Sequence, residues 1–300
     1  MINLRIPATS ANLGAGFDAL GLAVSHYNYV NMEEWDGPFI TSLDDTVIPT
    51  GENNLIYATA KTLYDICGRP FSGLRLEQTN NIPMTRGLGS SSACIIAGLV
   101  GANTLLGEPL PLGALVDLSA QLEGHPDNTA PALLGGIVTA VFDGRSVHWV
   151  KQEVGGHLSF IAIVPDFELK TEVARACLPK QVPHADAVYN LSRAALFSSS
   201  LLTGKYENLR TAVGDRLHQP FRLPLIPRAD EVMELAYSLD AYAAYISGAG
   251  PTIMVIVDPA NTYFTGRLRF SLDKMGLQAW RLLELAIDND GTVLIESGTI

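Results

Sequence analysis

Residues 83–93 read Pro-Met-Thr-Arg-Gly-Leu-Gly-Ser-Ser-Ser-Ala and run without a break into the apolar segment 94–106. No other stretch restricts the fold as much. Gly87 and Gly89 permit backbone angles closed to other residues and let a partner come close. Ser90, Ser91 and Ser92 are N-cap residue types standing where a helix must begin. Such a start offers unpaired backbone N–H groups and the positive end of the helix dipole. Phosphate binds readily there. An ordinary capped loop-to-helix junction uses the same residues, so the stretch alone leaves both readings open. The residues that follow, Cys94, Ile95, Ile96, Leu99, Val100 and Leu105, make the segment apolar nearly all round, which predicts a buried helix. Gly98 and Gly101 weaken a helix, so their presence predicts close packing against a neighbour.

The flanking pattern supplies the rest of an α+β chain. Ile2, Leu4 and Ile6 alternate with polar residues, predicting a strand that ends at Pro7. A polar, glycine-bearing loop over 8–18 and a second strand over 20–30 follow. Helical spacing over 53–67 stops at Gly68, and alternation over 73–78 leads into the glycine-serine stretch. A helix over 112–123, opened by Pro111 and stopped by Gly124, precedes strands 137–142 and 146–151, joined across Asp143-Gly-Arg145. Gly155-Gly156 is the expected boundary between domains 1–155 and 156–300. Beyond it the pattern predicts a strand over 157–164 and helices near 185–203, 206–217 and 228–239. Strands 242–247 and 252–257, a helix over 261–275 and strands near 277–284 and 293–296 complete the chain. Strands and helices alternate without strict βαβ regularity, and 300 residues suffice for two domains.

Composition excludes several functions. The net charge of −11 is unbroken by any Lys/Arg cluster, so nucleic acid and anionic membranes are repelled rather than attracted. An anionic ligand therefore needs locally arranged donors. Three cysteines without a CxxC pair fit a reducing cytoplasm and no disulfide framework. No signal peptide is visible, and the most apolar run, 93–102, is too short for a bilayer.

Four motifs carry chemistry. No Gly-Lys-Ser/Thr occurs, so the glycine-serine stretch is not a Walker loop, and Ser92 stands where a dinucleotide fingerprint needs a third glycine. Its run of hydroxyls is suited to Mg²⁺ or phosphate oxygens. Arg86 beside it reads either as a phosphate contact or as a solvated arginine. Glu123-Gly-His-Pro-Asp-Asn128 crowds two carboxylates, an imidazole and a carboxamide together. Mg²⁺ takes hard oxygen ligands, which suits Glu123, and Asn128 suits a substrate hydroxyl. A plain turn uses Asp127 and Asn128 equally well. The loop 12–18, with Gly14 and Gly16, is either a small-ligand loop or an Asx turn. Ser247-Gly-Ala-Gly-Pro-Thr252 is either an anion nest or a tight connection between strands.

In this order, Pro7-Ala-Thr-Ser-Ala-Asn-Leu-Gly-Ala-Gly-Phe-Asp18, Arg86-Gly-Leu-Gly-Ser-Ser-Ser-Ala93, Gly124-His-Pro-Asp-Asn128 and Ser247-Gly-Ala-Gly-Pro-Thr252 resemble the GHMP-type small-molecule kinases. The first and third strings resemble the homoserine kinase family among them. The resemblance implies two domains: an N-terminal one of ribosomal S5 domain 2 type with a left-handed βαβ unit, against the usual preference, and a ferredoxin-like C-terminal one. It implies transfer of the ATP γ-phosphoryl to the side-chain hydroxyl of L-homoserine, giving O-phospho-L-homoserine for threonine biosynthesis. ATP would lie along Pro83, Met84, Thr85, Arg86, Gly87, Leu88, Gly89, Ser90, Ser91, Ser92 and Ala93. Ser91 and Glu123 would hold Mg²⁺, with Glu123 and Asn128 the catalytic residues. Asn12, Asp18, His125, Asn128 and Gly248 would line the amino-acid pocket, Asp18 meeting the ammonium. Arg193 and Arg222 would meet the substrate carboxylate, a task for which the guanidinium fork is suited.

Asn128 occupies the place of an aspartate base in other members, and an amide does not take a proton in that way, so no general base is assigned. Ala15 stands where the family usually has proline. The resemblance also implies a homodimer whose ligands are small molecules, and the cysteine usage with no visible signal peptide leads us to expect a cytoplasmic protein. The alternatives are a GHMP-type kinase of a mevalonate-type or sugar hydroxyl, and a non-catalytic nucleotide- or amino-acid-binding protein.

Overall fold

The computed structural model describes residues 1–153 and 158–296. Its first half contains β1 (Ile2–Ala11), β2 (Leu20–Glu34), β3 (Gly37–Ser42), α1 (Leu55–Ile66), β4 (Gly73–Thr79), α2 (Ser90–Leu105), α3 (Leu112–Glu123), α4 (Pro126–Leu134), β5 (Ile137–Phe142) and β6 (Val147–Gln152). The second contains β7 (Ser159–Val164), α5 (Thr171–Ala176), α6 (His184–Thr203), α7 (Leu209–Ala212), α8 (Gln219–Arg222), α9 (Ala229–Ser238), β8 (Ala243–Ile246), β9 (Ile253–Val257), α10 (Phe264–Lys274), β10 (Arg281–Leu285) and β11 (Val293–Leu294).

A seven-stranded sheet runs β11-β1-β2-β4-β3, with β5 on β2 and β6 on β5. The long β2 serves two arms, pairing with β5 through Leu20–Leu22 and with β4 through Tyr29–Glu34. The parallel pair β3–β4 is joined through α1, which makes it the βαβ unit. β1 does not stop at Pro7. Its register slips between Pro7 and Ala8, so the proline, which has no N–H, sits at a bulge and the strand continues to Ala11. This extension carries the chain to the 12–18 loop.

α2 is buried through Ile95, Ile96, Leu99 and Ala102. Its glycines are contact points: a Cβ on Gly98 would lie 2.7 Å from the Ile56 carbonyl oxygen, and one on Gly101 would lie 2.6 Å from Met32. The sequence pattern omits α4, whose internal Pro131 reads as a breaker; Pro126 at its first turn suits a helix start. The single helix expected over 206–217 is instead a 3₁₀ turn and the short α7. Asp215 then accepts from the backbone N–H groups of Leu217, His218 and Gln219 and starts α8.

The second sheet is antiparallel, β10-β7-β9-β8. Its period-two pattern splits cleanly between two cores. Phe160, Ala162, Val164, Met254 and Ile256 join the main core with α2 and α6, whereas Ile161, Ile163, Ile253, Val255 and Val257 pack under α9 and α10. After β10 the chain returns to the first sheet: Ile287 bridges to Val24, and Val293 and Leu294 pair with Arg5 and Leu4. The boundary expected at Gly155-Gly156 lies outside the described residues. Among the described residues no helix is long and apolar enough to cross a membrane.

Candidate active site

The end of β1, the start of α2, the α3–α4 junction, α5 and the 247–252 connection converge on a cavity of about 340 Å³. Met84 to Gly87 and Gly89 to Ser92 line it; Pro83, Leu88 and Ala93 do not, the last two being buried in the core. The N-cap of α2 is Gly89, at φ +72°, not a serine. The three serines are therefore the first helical residues, and their hydroxyls are not spent on capping. A Cβ on Gly89 would lie 1.9 Å from Thr9 Oγ1, and one on Gly87 would lie 2.3 Å from the Ser247 carbonyl oxygen. Thr9 N donates to Leu88 O (3.1 Å), Ser247 Oγ to Gly87 O (2.6 Å) and Thr252 N to Arg86 O (3.2 Å). The loop is thus clamped from both sides.

Two expectations change. Arg86 is neither a free phosphate contact nor a solvated side chain: Nε donates to Pro165 O (3.1 Å) and Nη2 to Asp166 O (3.2 Å), tying the loop to the end of β7. The 247–252 segment is not an anion nest. Gly248 N donates to Ala11 O and Gly250 N to Ser247 O. Gly248 contributes its carbonyl instead, accepting from Asn12 Nδ2 and Arg222 Nη1, each at 2.9 Å.

At the end of α3, Glu123 faces the first turn of α2. Ser92 Oγ donates to Glu123 Oε1 (3.1 Å), and Ser91 Oγ stands 3.5 Å from Oε2. Thr9 Oγ1 donates to Asn128 Oδ1 (2.8 Å), which fixes the Asn128 amide with its nitrogen 3.5 Å from Asp127 Oδ1 at the cavity wall. Asp127 is buried in the first turn of α4 and bonded to His125 Nδ1. Burial disfavours the His125 imidazolium, but the Asp127 hydrogen bond and charge outweigh it and raise the pKa above the ordinary value. Because the folded value is raised, the stabilisation from this charge is complete below the unfolded pKa and is lost as pH rises through the folded one. An NMR titration should place the His125 midpoint above about 6.5, and Asp127→Asn should lower it; an unmoved midpoint would refute the assignment.

Asn12 (φ +69°) and Asp18 (φ +56°) hold left-handed backbone that Asn and Asp tolerate. Asn12 Oδ1 accepts from Asp18 N at 3.1 Å, which folds the loop back on itself. Ala15, at the family's proline position, is buried, and its carbonyl accepts from Asn190. Asp18 forms a two-pronged pair with Arg175, at 2.8 and 3.2 Å. Arg222 is buried, and its Nε donates to Ala174 O. Burial, then the charge of nearby Arg175, lowers the Arg222 pKa, whereas on Arg175 the Asp18 bond and charge outweigh burial and raise it.

Arg193 does not line the cavity. Its guanidinium lies 3.2 Å from the centre of the Tyr189 ring, and Nη1 donates to Tyr189 O. The arginine that accompanies Arg222 beside Asp18 is Arg175, on a helix of six residues that is too short for periodicity to register. Sequence reasoning also missed the far end of the cavity, where Ile48, Pro49 and Leu55 meet the amides of Asn53 and Asn80. Asp44 holds that wall: burial opposes its ionisation, but bonds from Asn80 N and Thr46 N outweigh this and lower its pKa to about 2.

Residues 54–136 match the model of the GHMP kinases N terminal domain, and residues 197–262 match that of the GHMP kinases C terminal domain. A homoserine kinase of Caldicellulosiruptor bescii is 45% identical, the match covering 98% of this chain and 97% of the relative. One of Clostridium beijerinckii is 45% identical, covering 99% of each. The crystal structure of homoserine kinase from Cytophaga hutchinsonii is similar with a TM-score of 0.86 at 28% identity, covering 98% of this chain and 97% of that one.

Proposed function

The chain belongs to the homoserine kinases of the GHMP family, and from that premise we propose that it transfers the γ-phosphoryl group of ATP to the side-chain hydroxyl of L-homoserine. One observation carries the reading of the acceptor as an amino acid: Asp18 and two arginines, Arg175 and Arg222, line the same cavity as the glycine-serine loop. A zwitterion needs a carboxylate for its ammonium and guanidinium groups for its carboxylate, whereas a mevalonate-type or sugar acceptor does not need both. Arg175 takes the part expected of Arg193.

Phosphoryl transfer asks mainly for positioning and charge stabilisation. The N–H groups at the start of α2, with Ser90 and Ser91, receive phosphate oxygens. Asn128 donates an amide N–H to the acceptor oxygen and so fixes its direction without taking its proton. Ser91, Ser92 and Glu123 present hard oxygens to one another, a donor set that fits Mg²⁺. When bound, Mg²⁺ supplies charge neutralisation on the β- and γ-phosphate oxygens. The wall of Ile48, Pro49 and Leu55 suits the flat, apolar face of a base. A cytoplasmic homodimer belongs to the same proposal and is read by light scattering.

The test is ADP release with MgATP and a panel of L-homoserine, mevalonate and hexoses. Homoserine should lead by at least about a hundredfold in kcat/KM; absence of homoserine turnover sinks the reading.

A further inference from the structure

One fully buried titratable side chain near the cavity has no part in the chemistry above. His218 precedes α8, has no exposed surface and does not line the cavity. Its ring touches both sides of the amino-acid pocket. Nε2 lies 2.7 Å from the carbonyl oxygen of Gly14, in the 12–18 loop, and Nδ1 lies 3.2 Å from Nη1 of Arg222. The partners dictate the protons. A carbonyl only accepts, so Nε2 carries hydrogen; a guanidinium only donates, so Nδ1 presents its lone pair. Only the neutral Nε2–H tautomer satisfies both.

The ring is fixed on its remaining sides. Phe17 stacks on it at 5.3 Å with planes 27° apart, and the Asp215 carboxylate lies 3.6 Å from Nε2 while capping α8. Arg222 also lies over Phe17 and spends Nε on Ala174 O and Nη1 on Gly248 O and His218. Its Nη2 has no protein partner among the described residues, so that edge is left for a ligand.

We propose that His218 is a positioning residue for the amino-acid substrate, locking the 12–18 loop and the Arg222 guanidinium into one register so that Asp18 and Arg222 meet the ammonium and carboxylate of one molecule. This deepens the homoserine kinase reading and rests on it. The lock fails when Nδ1 gains a proton, because two donors then face each other. Burial, reinforced by the Arg222 charge and opposed by Asp215 and Asp18, keeps the His218 pKa below the ordinary imidazole value, so the lock holds at neutral pH and fails on the acid side.

Two substitutions separate the two bonds. His218→Asn can place an amide oxygen near the position of Nδ1 and keep an acceptor for Arg222, while losing Gly14. His218→Gln can place an amide nitrogen near Nε2 and keep the Gly14 bond, while losing the acceptor. Steady-state kinetics on the full chain should show KM for homoserine rising about tenfold or more in His218→Gln. His218→Asn should show a smaller rise, with KM for ATP within about twofold and kcat within about threefold in both. In the unsubstituted protein, KM for homoserine should climb as pH falls to the acid side of the ordinary imidazole range, while KM for ATP does not. That limb should be absent in His218→Asn.

Circular dichroism and thermal melting control for folding, and if a variant does not fold, the pH profile of the unsubstituted protein decides. Folded variants with unchanged homoserine KM, equal loss for both substrates, or a flat acid limb in the unsubstituted protein each overturn the proposal. Lack of homoserine turnover by the unsubstituted protein overturns the parent reading instead.

Discussion

Glu123→Gln is expected to lower kcat by about a hundredfold to a thousandfold while leaving the melting temperature nearly unchanged. Glutamine keeps an oxygen for the Ser92 hydroxyl, 3.1 Å away, and removes only the charge. The fold has little stake in that charge, because Glu123 ends α3 at the cavity wall and makes no ion pair among the described residues. The chemistry has a large stake, since the remaining oxygens facing it are serine hydroxyls. The Mg²⁺ concentration giving half-maximal rate should rise with the loss. Unchanged kcat and unchanged Mg²⁺ dependence in a folded Glu123→Gln protein would remove Glu123 from the metal site.

The second large effect is expected at Asp18. Asp18→Asn keeps a side chain that tolerates φ +56° and removes the charge paired with Arg175. It should reduce kcat/KM for homoserine by about a hundredfold or more, mostly through KM, with KM for ATP little changed. Arg175→Met should fall in the same direction, whereas Arg193→Met should change homoserine KM by less than about twofold, because Arg193 is stacked on Tyr189 away from the cavity. A larger loss from Arg193→Met than from Arg175→Met would reverse the assignment of the carboxylate pair.

How far the sequence could be read depended on the range of each interaction. The buried character of α2 and the reason for Gly98 and Gly101 were legible, because an all-apolar helix with two glycines can only pack closely. The apolar runs of β7 and β9 were legible as strands, and their two faces turned out to divide two cores. Arg175 was not legible: six residues hold too few turns for a period, and its partner Asp18 is 157 residues away. The tie from Arg86 to Pro165 and the crossing of donors at the Gly248 carbonyl are likewise tertiary bonds between distant loops. Glycine spacing suggested that these loops were special. It could not tell an N–H offered to an anion from one already bonded to Ala11.

The return of residues 287–294 to the first sheet bears on the order in which the molecule can form. β1 delivers Thr9 and Asn12 to the site and has β2 on one side and β11 on the other. Its first partner follows directly in sequence, but its second is Val293–Leu294, so one edge of β1 stays open until residues 293–294 have been made. Contacts of such wide separation form late and slowly. During synthesis the glycine-serine loop and α2 can assemble while the strand beside them still has unpaired backbone groups, the condition in which chains meet one another edge to edge. Closing that edge is the step that joins residues 293–294 to the strand from which the catalytic pocket begins.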